Sequence, residues 1–249
     1  MLNVHLPQHI LNPIAAYDAF APYYKSYSEI RSRYLRKVED IVVARAPKAG
    51  SLLDVGAGNG ARALRIAQSA RIARVVLVEP SAGMRALCPD SAEVWPCSAS
   101  EIPDTAPQFS LITCLWNVLG HIPDAEQRLL VLSKLKRRLN PEGAIFLDVT
   151  HRYNAAAYGW TKTFFRIVHD SFPKSRDSGD VIVSWKAHEH TIHTQGHVFR
   201  HAEMKRLFRS AGLEVVARWV INYENGAECR FPTSGNLLYQ LAAAGTVLQ

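Results

Sequence analysis

The chain has 249 residues, 48% of them hydrophobic, and this is enough to bury a full core in one α/β domain. Its formal net charge of +7 keeps open a basic surface that binds nucleic acid. It contains no apolar run long enough to span a bilayer and no basic leader with a cleavage site, so we expect a cytoplasmic protein without a membrane partner.

The first 50 residues are predicted to form a helical cover over a ligand cleft. Aromatic side chains recur over residues 17–27, and residues 29–46 have helical spacing. Tyr17, Tyr23 and Tyr24 are candidates for a lid over the reacting group, with packing on a helix face as the alternative for at least one of them. The chain is therefore divided into a lid segment, residues 1–50, and a core, residues 51–249.

A glycine-rich loop follows the first predicted strand. In the run SLLDVGAGNG, residues 51–60, a short buried strand leads into glycines at 56, 58 and 60. These glycines let the backbone turn sharply and lie against a ligand. Residues 61–67 are good helix formers, so the loop opens a helix whose free N–H groups favour a negative or hydrogen-bond-accepting group.

The second predicted strand, residues 75–78, ends on an acid, Glu79. A carboxylate at that edge is placed to accept hydrogen bonds from the two hydroxyls of a ribose. Loop and acid together predict a site for a nucleoside-containing cofactor.

Two cofactors fit these residues. Gly56, Gly58 and Ala61 satisfy the dinucleotide pattern G-x-G-x-x-G/A, and Glu79 lies near the offset of its ribose acid. Asp54 favours the zwitterionic amino acid and sulfonium of S-adenosylmethionine instead, because a carboxylate at the strand end repels the phosphates of a dinucleotide.

The motifs LLDVGAGNG at 52–60 and LVEPS at 77–81 resemble those of the class I, Rossmann-like S-adenosylmethionine-dependent methyltransferases. The resemblance implies an α/β fold with a single doubly wound sheet of seven mostly parallel strands. Helices would cover both of its faces, with the N-terminal helical cover and an insertion after strand 5, at about residues 151–200. It also implies S-adenosylmethionine as cofactor and S-adenosylhomocysteine as product.

The resemblance extends from about residue 17 to residue 241. CSASEIP at 97–103 is similar to the segment that frames the adenine, with Ser98 in place of the usual acid. The fourth strand, residues 109–115, leads into WNVLGH at 116–121, the family's usual substrate-facing corner. The cofactor contacts implied are Tyr17, Asp54, Gly56, Ala57, Gly58, Gly60, Glu79, Pro80, Met84, Ser98, Ala99, Leu115 and Trp116.

Three residues are candidates for catalysis. His121 could act as a general base at neutral pH, or it could cap the loop before the next helix. Asn117 could orient the acceptor or satisfy the backbone of the turn, and Tyr24 belongs to the lid over the methyl group. Trp116 could contact the adenosine or the cationic methyl region, with a place in the core as the alternative.

Further elements follow from patterning. Asp124 is predicted to cap a helix that Pro141 ends, and residues 141–149 and 211–220 resemble later strands. The buried stripe of the capped helix is predicted to be Leu129, Leu132, Leu135 and Leu139. A later helix is predicted from Met204, Leu207, Phe208 and Ala211, with Gly212 as its end.

Residues 151–201 are long for a connection, and we expect them to select the substrate. Residues 180–185 and 188–199 are β-prone and predict extra strands over the cleft. Arg152 could pair with an acidic substrate or lie on the surface. A metal site is suggested by His188, Glu189, His190, His193 and His197. No closed ligand set is evident, and the four cysteines lack paired spacing, so we predict no metal.

The sequence therefore predicts an enzyme that transfers a methyl group by in-line displacement to nitrogen or oxygen of a small molecule, with acidic acceptors among the candidates. The net charge keeps an RNA or DNA methyltransferase open as the alternative, and a non-catalytic cofactor-binding protein is a further one. We expect a monomer or a homodimer.

Overall fold

The computed structural model describes residues 10–47, 50–171, 179–187 and 190–245. Nine strands occur in these ranges, seven in a central sheet and two, β6 and β7, in a separate hairpin. In chain order they are β1 (Ser51–Val55), β2 (Arg74–Val78), β3 (Glu93–Trp95), β4 (Phe109–Cys114), β5 (Leu139–Val149), β6 (Asp180–Ala187), β7 (His190–His197), β8 (Leu213–Ile221) and β9 (Asn236–Ala243).

The order of strands in the central sheet is β3-β2-β1-β4-β5-β9-β8. Strands β1 to β5 pair in parallel, whereas β9 runs antiparallel to both of its neighbours. The prediction of a seven-stranded, mostly parallel sheet is confirmed. The strand order reverses at β1 and β4, and in open α/β sheets the ligand site lies beyond the carboxyl ends of the strands at such a point.

Helices surround the sheet, and three of them precede β1. They are α1 (Pro13–Phe20), α2 (Tyr24–Ile30), α3 (Ser32–Arg45), α4 (Ala61–Ala70), α5 (Ala82–Arg85), α6 (Ala125–Arg137), α7 (Ala155–Tyr158), α8 (Trp160–Asp170) and α9 (His201–Ser210). None of these described helices has the length and apolar character needed to cross a membrane.

The core has two layers, one on each face of the sheet. Leu53 and Val55 of β1 pack in the layer that contains α6 and α9, whereas Leu52 packs in the layer that contains α3 and α4. Successive side chains of a strand point to opposite faces, so an unbroken apolar run in β1 fills both layers. This explains why the central strands read as short continuous hydrophobic segments.

Helix α6 begins as predicted and ends earlier than predicted. The Asp124 carboxylate accepts a hydrogen bond from the Gln127 amide at 2.7 Å and caps the helix. Leu139 is not a helical residue, because it pairs with Phe109 of β4 and opens β5 two residues before Pro141. Leu129, also placed in the buried stripe, is only partly buried. The helix at Met204 and its end at Gly212 are confirmed.

The N-terminal cover and the insertion both depart from the prediction. Helical structure over residues 29–46 is interrupted at Arg31, which separates α2 from α3. The predicted strands of the insertion form the β6–β7 hairpin. Helices α7 and α8 were not predicted. The apolar residues Trp160, Phe164, Ile167 and Val168 of α8 recur at helical spacing, but in the fold they face solvent.

Candidate functional site

The glycine loop lies against β2 and leaves room that only glycine provides. The Gly56 amide donates to the Val78 carbonyl at 2.8 Å, and Gly56 and Gly58 both have positive φ. A Cβ atom at Gly56 would lie 2.5 Å from Val118 Cγ2, and one at Gly58 would lie 2.7 Å from the Tyr24 hydroxyl. The loop backbone is therefore held close to the residues that would face a ligand.

Glu79 closes this loop at the end of β2. Its Oε2 atom accepts a hydrogen bond from the Gly58 amide at 2.8 Å, and its Oε1 atom accepts one from the Ser81 amide at 2.9 Å. The side chain is buried, and burial raises its pKa. Each carboxylate oxygen has a second lone pair, so two hydroxyl donors can still be bound.

A cleft of about 380 Å³ lies over this loop, within the size range of cofactor sites. Nine of the thirteen predicted cofactor contacts line it, namely Tyr17, Gly56, Gly58, Glu79, Pro80, Ser98, Ala99, Leu115 and Trp116. The other four, Asp54, Ala57, Gly60 and Met84, lie outside its lining. The lining residues that were not predicted include Arg62, Ser81 and Val118.

Asp54 and Arg62 are two buried charged residues at this end of the sheet, and Arg62 also lines the cleft. Asp54 Oδ1 accepts a hydrogen bond from the Thr113 hydroxyl at 2.6 Å, whereas Oδ2 is buried without a partner. Burial raises the pKa of Asp54, and the positive charge of Arg62 opposes that shift. Arg62 donates from Nη2 to the Leu115 carbonyl at 3.1 Å, while its buried Nε has no partner.

These unsatisfied buried atoms fit a ligand that carries both an ammonium and a carboxylate, as the amino-acid end of S-adenosylmethionine does. The two carboxylate oxygens of Glu79 fit the vicinal hydroxyls of its ribose in the same way. The donor set of the cleft thus suits this cofactor. Arg62 was missed because an arginine at the second position of a helix has no distinctive sequence signal.

Asp18 connects the N-terminal cover to the wall of the cleft through hydrogen bonds. Its carboxylate accepts hydrogen bonds from the Ser81 hydroxyl at 2.6 Å and the Gly83 amide at 2.8 Å, and these bonds lower its pKa. Helix α1 is thereby attached to the segment that follows Glu79. The attachment places Tyr17, the neighbour of Asp18 in the chain, in the wall of the cleft.

The corner after β4 adopts an unusual backbone. Trp116 and Asn117 have φ values of 69° and 61°, in the left-handed region of the backbone that residues other than glycine rarely adopt. The Trp116 amide and the Tyr34 hydroxyl both donate to the buried Asp148 carboxylate, and burial raises the pKa of Asp148. The Asn117 side chain accepts a hydrogen bond from the Thr150 amide at 2.9 Å. Asn117 therefore supports the turn, and its catalytic role stays a prediction.

A second cavity, of about 370 Å³, lies on the far side of this corner. The two cavities share four wall residues, Tyr17, Tyr24, Trp116 and His121. The second cavity, named here the acceptor chamber, is further lined by Asp148 of β5 and Thr150 just after it, by Val183 and Trp185 of β6, and by Lys162 and Arg166 of α8. The insertion therefore builds one side of the chamber.

The predicted lid residues have different positions. Tyr17 and Tyr24 stand between the two cavities, whereas Tyr23 packs in the aromatic cluster of α1. Burial raises the pKa of Tyr24 to about 12, so its phenol is protonated at neutral pH and can donate a hydrogen bond. Trp116 donates from Nε1 to the Tyr223 hydroxyl at 3.0 Å and is a part-buried wall residue.

His121 lies between Tyr17 and Trp185, with ring centroids 5.4 and 5.8 Å away. Its Nδ1 atom is 3.3 Å from the Gln195 carbonyl. A carbonyl only accepts, so this contact assigns the proton of the neutral ring to Nδ1 and leaves Nε2 as an acceptor. Burial lowers the pKa of His121 to about 4, and the ring is therefore neutral at pH 7.

Arg152 is neither on the surface nor directed at a substrate. The side chain is buried and donates to both carboxylate oxygens of Asp170, at 2.6 and 3.0 Å. Tyr153 donates to the same carboxylate at 2.9 Å. The prediction of a surface position is therefore wrong, because Arg152 is buried where it binds the end of α8, and it lines neither cavity.

The histidines of the insertion make separate contacts. His193 hydrogen-bonds with the Ser184 hydroxyl at 2.8 Å, and His197 lies between Asp180 and Glu203 at 2.5 and 2.9 Å. Within the described part of the chain, no group of three or more histidine, cysteine or acidic side chains could hold a metal ion. His188 and Glu189, which were part of the suggested metal set, lie outside the described residues.

We expect the burial of His151 to make the stability of the fold depend measurably on pH. Its Nδ1 atom is 2.9 Å from the Pro232 carbonyl, and burial lowers its pKa to about 4 from the usual 6.5. The unfolded chain takes up this proton below pH 6.5 and the folded chain only near pH 4, so the neutral ring stabilises the fold above pH 6.5 and that contribution is lost between these values.

We therefore expect the free energy of unfolding of the wild type to fall by about 3 kcal/mol relative to that of His151→Gln as the pH drops from 7 to 4. Urea denaturation of both proteins across this range measures the difference, and other titrating groups cancel in it. A difference that does not change with pH would contradict the lowered pKa.

Comparison with known proteins agrees with this geometry. A family model described as a methyltransferase domain matches residues 27–218. The fold is similar to that of an S-adenosylmethionine-dependent methyltransferase from Clostridium acetobutylicum, with a TM-score of 0.65 and 11% identity over 91% of this chain and 100% of the other. Comparison with curated protein sequences gives no significant match.

Two further solved structures carry more specific descriptions. The sugar N-methyltransferase KedS8 from Streptoalloteichus has a TM-score of 0.60 and 15% identity over 96% of each chain. The amino pentose methyltransferase CalS10 from Micromonospora echinaspora, solved with bound S-adenosylmethionine, has a TM-score of 0.60 and 16% identity over 95% of this chain and 98% of the other. At these identities the likeness concerns the fold.

Proposed function

This chain belongs to the family of class I S-adenosylmethionine-dependent methyltransferases, and from that membership we propose that it methylates a nitrogen or oxygen atom of a small molecule. Its cofactor is S-adenosylmethionine. The observation that carries the proposal is the acceptor chamber, which adjoins the cofactor cleft and shares Tyr17, Tyr24, Trp116 and His121 with it.

The cofactor supplies a methyl group activated on a sulfonium. Glu79 would bind the ribose hydroxyls, and the loop at Gly56 and Gly58 would allow the close approach of the cofactor to the backbone. Arg62 and Asp54, with a buried nitrogen and a buried oxygen left without partners, would bind the charged amino-acid end.

The size and lining of the chamber support a small acceptor. Its volume of about 370 Å³ is that of a small-molecule pocket, and the α1 aromatic residues and the β6–β7 hairpin wall it in. A nucleic acid would require an open basic groove or a pocket for a flipped base with a path for its backbone. The chamber also contains Asn117, His121 and Thr150, polar groups that a non-catalytic cofactor-binding protein would not need.

His121 provides the proton chemistry for such an acceptor. A nitrogen or oxygen nucleophile loses a proton as its bond to carbon forms, and the neutral imidazole can take that proton on Nε2. Tyr24 keeps its own proton at neutral pH and can orient the acceptor as a donor. The aromatic walls of Tyr17 and Trp185 exclude water from the reacting atoms.

The test is a screen with methyl-labelled S-adenosylmethionine against fractionated cell extracts, read by mass spectrometry. We expect the label in one or a few small molecules, bound to nitrogen or oxygen, with no label in the RNA, DNA or protein fractions. The Glu79→Ala protein, assayed beside the wild type, controls for labelling that does not depend on the cofactor cleft. Label confined to a macromolecular fraction would overturn the proposal.

A further inference from the structure

Helix α8 is turned opposite to an ordinary surface helix. Its apolar side chains Trp160, Phe164 and Phe165 are 69%, 62% and 66% exposed. Its charged residues Lys162 and Arg166 line the acceptor chamber on the other side of the helix. Burial of apolar surface stabilises a fold by about 25 cal/mol per Å², so an amphipathic helix normally places these sides the other way round.

Polar contacts hold α8 in this orientation. Asp170 at its C-terminal end binds the buried Arg152, and Arg166 donates from Nη1 to the Arg152 carbonyl at 2.9 Å. The Arg166 guanidinium also lies over the Tyr158 ring, 4.2 Å from its centroid. The charged side of the helix is therefore fixed toward the chamber.

The positive charges at this end of the chamber have no acidic partner among the residues that the structure describes. Lys162 has no hydrogen-bond or ion-pair partner among the described residues, and it lies one helical turn before Arg166 on the same side of α8. Among the described residues that line the chamber, Asp148 is the one acid. Its carboxylate already accepts hydrogen bonds from the Trp116 amide and the Tyr34 hydroxyl. In the part of the chain that the structure describes, two cations thus face the cavity without a matching anion.

We propose that Lys162 and Arg166 bind an anionic group of the acceptor, a carboxylate or a phosphate, and that the substrate is an anionic molecule with a nucleophilic nitrogen or oxygen. This inference rests on the proposed function. Arg166 supplies a planar pair of donors and Lys162 a mobile point charge, a combination that suits both oxyanions. The anionic group held at α8 would leave the nucleophile free to reach the wall formed by Tyr24 and His121.

The test uses two probes and four proteins. Inorganic pyrophosphate and succinate are titrated separately into the protein saturated with S-adenosylhomocysteine, and binding is measured by calorimetry. We expect Lys162→Ala to lower the affinity for the more tightly bound probe about tenfold, which is the effect of losing one charged contact. Lys162→Arg should keep most of the wild-type affinity. Lys205→Ala removes the same charge from the exposed surface of α9 and should leave the affinity unchanged.

The probe that binds more tightly identifies the group as a phosphate or a carboxylate. The proposal is overturned if neither probe binds, or if Lys162→Ala and Lys205→Ala lower the affinity equally. The same titrations without S-adenosylhomocysteine, together with its own affinity for each variant, separate the two inferences. A wild-type protein that does not bind S-adenosylhomocysteine would contradict the proposed function. A wild-type protein that binds it but has no Lys162-dependent anion site would contradict only the inference about the anionic group.

Discussion

Replacing Glu79 with alanine is expected to weaken the binding of S-adenosylhomocysteine on the order of 100-fold, the effect of losing two hydrogen bonds to a charged acceptor. The carboxylate would accept from both ribose hydroxyls, and it also orders the loop through the Gly58 and Ser81 amides. Calorimetric titration of each protein measures the affinity. Glu79→Gln, which keeps one acceptor oxygen, should bind with an intermediate affinity.

The matched control is Glu93→Ala, one strand away from Glu79. Glu93 is an exposed glutamate at the start of β3, where it pairs with Arg74. Its removal changes the net charge equally and should leave the affinity at the wild-type value. Urea denaturation of each variant reports whether the loop has unfolded. A folded Glu79→Ala protein that binds as tightly as the control would remove Glu79 from the cofactor site.

Replacing His121 with alanine is expected to lower kcat on the order of 100-fold, the usual contribution of a general base. The affinity for S-adenosylhomocysteine should stay nearly unchanged, because His121 borders the cleft from the side of the acceptor chamber. Turnover is measured with the acceptor that the labelling screen identifies, and cofactor affinity is measured by calorimetry on the same samples.

His193→Ala is the control for this experiment. His193 lies on β7, where its ring contacts Ser184, and it lines neither the cleft nor the acceptor chamber. Its loss should leave both parameters near the wild-type values. An equal fall in turnover and cofactor affinity in His121→Ala would assign His121 to cofactor binding or to packing with Tyr17 and Trp185, and the division of roles would be wrong.

Much of the cofactor cleft could be predicted because its determinants are local in the chain. Glycines at alternate positions permit one backbone path, and the apolar run before Glu79 places this residue directly after the end of a strand. The Asp124 cap also depends on a contact only three residues away. Such features need no knowledge of which distant segments meet.

Other determinants of the site depend on distant pairings and gave no signal. Asp18 reaches Ser81 across 63 residues, and Tyr34 reaches Asp148 across 114. His121 could be named from the sequence, but its pKa is lowered by burial in the fold, where Tyr17 of α1 and Trp185 of the hairpin pack near its ring. Arg152 was misplaced because its partner Asp170 lies at the far end of an unpredicted helix.

The sequence by itself determined a nucleoside site, since the glycine loop and Glu79 are short-range features. The family resemblance that these motifs carry then implied S-adenosylmethionine and the seven-stranded sheet that presents it. Only the tertiary structure decided the acceptor side. There the insertion folds back so that α8 directs Lys162 and Arg166 into a chamber whose other wall is the corner at Trp116. The physical reason is that the charge and shape of this chamber arise from side chains that only the packing of separate elements brings together.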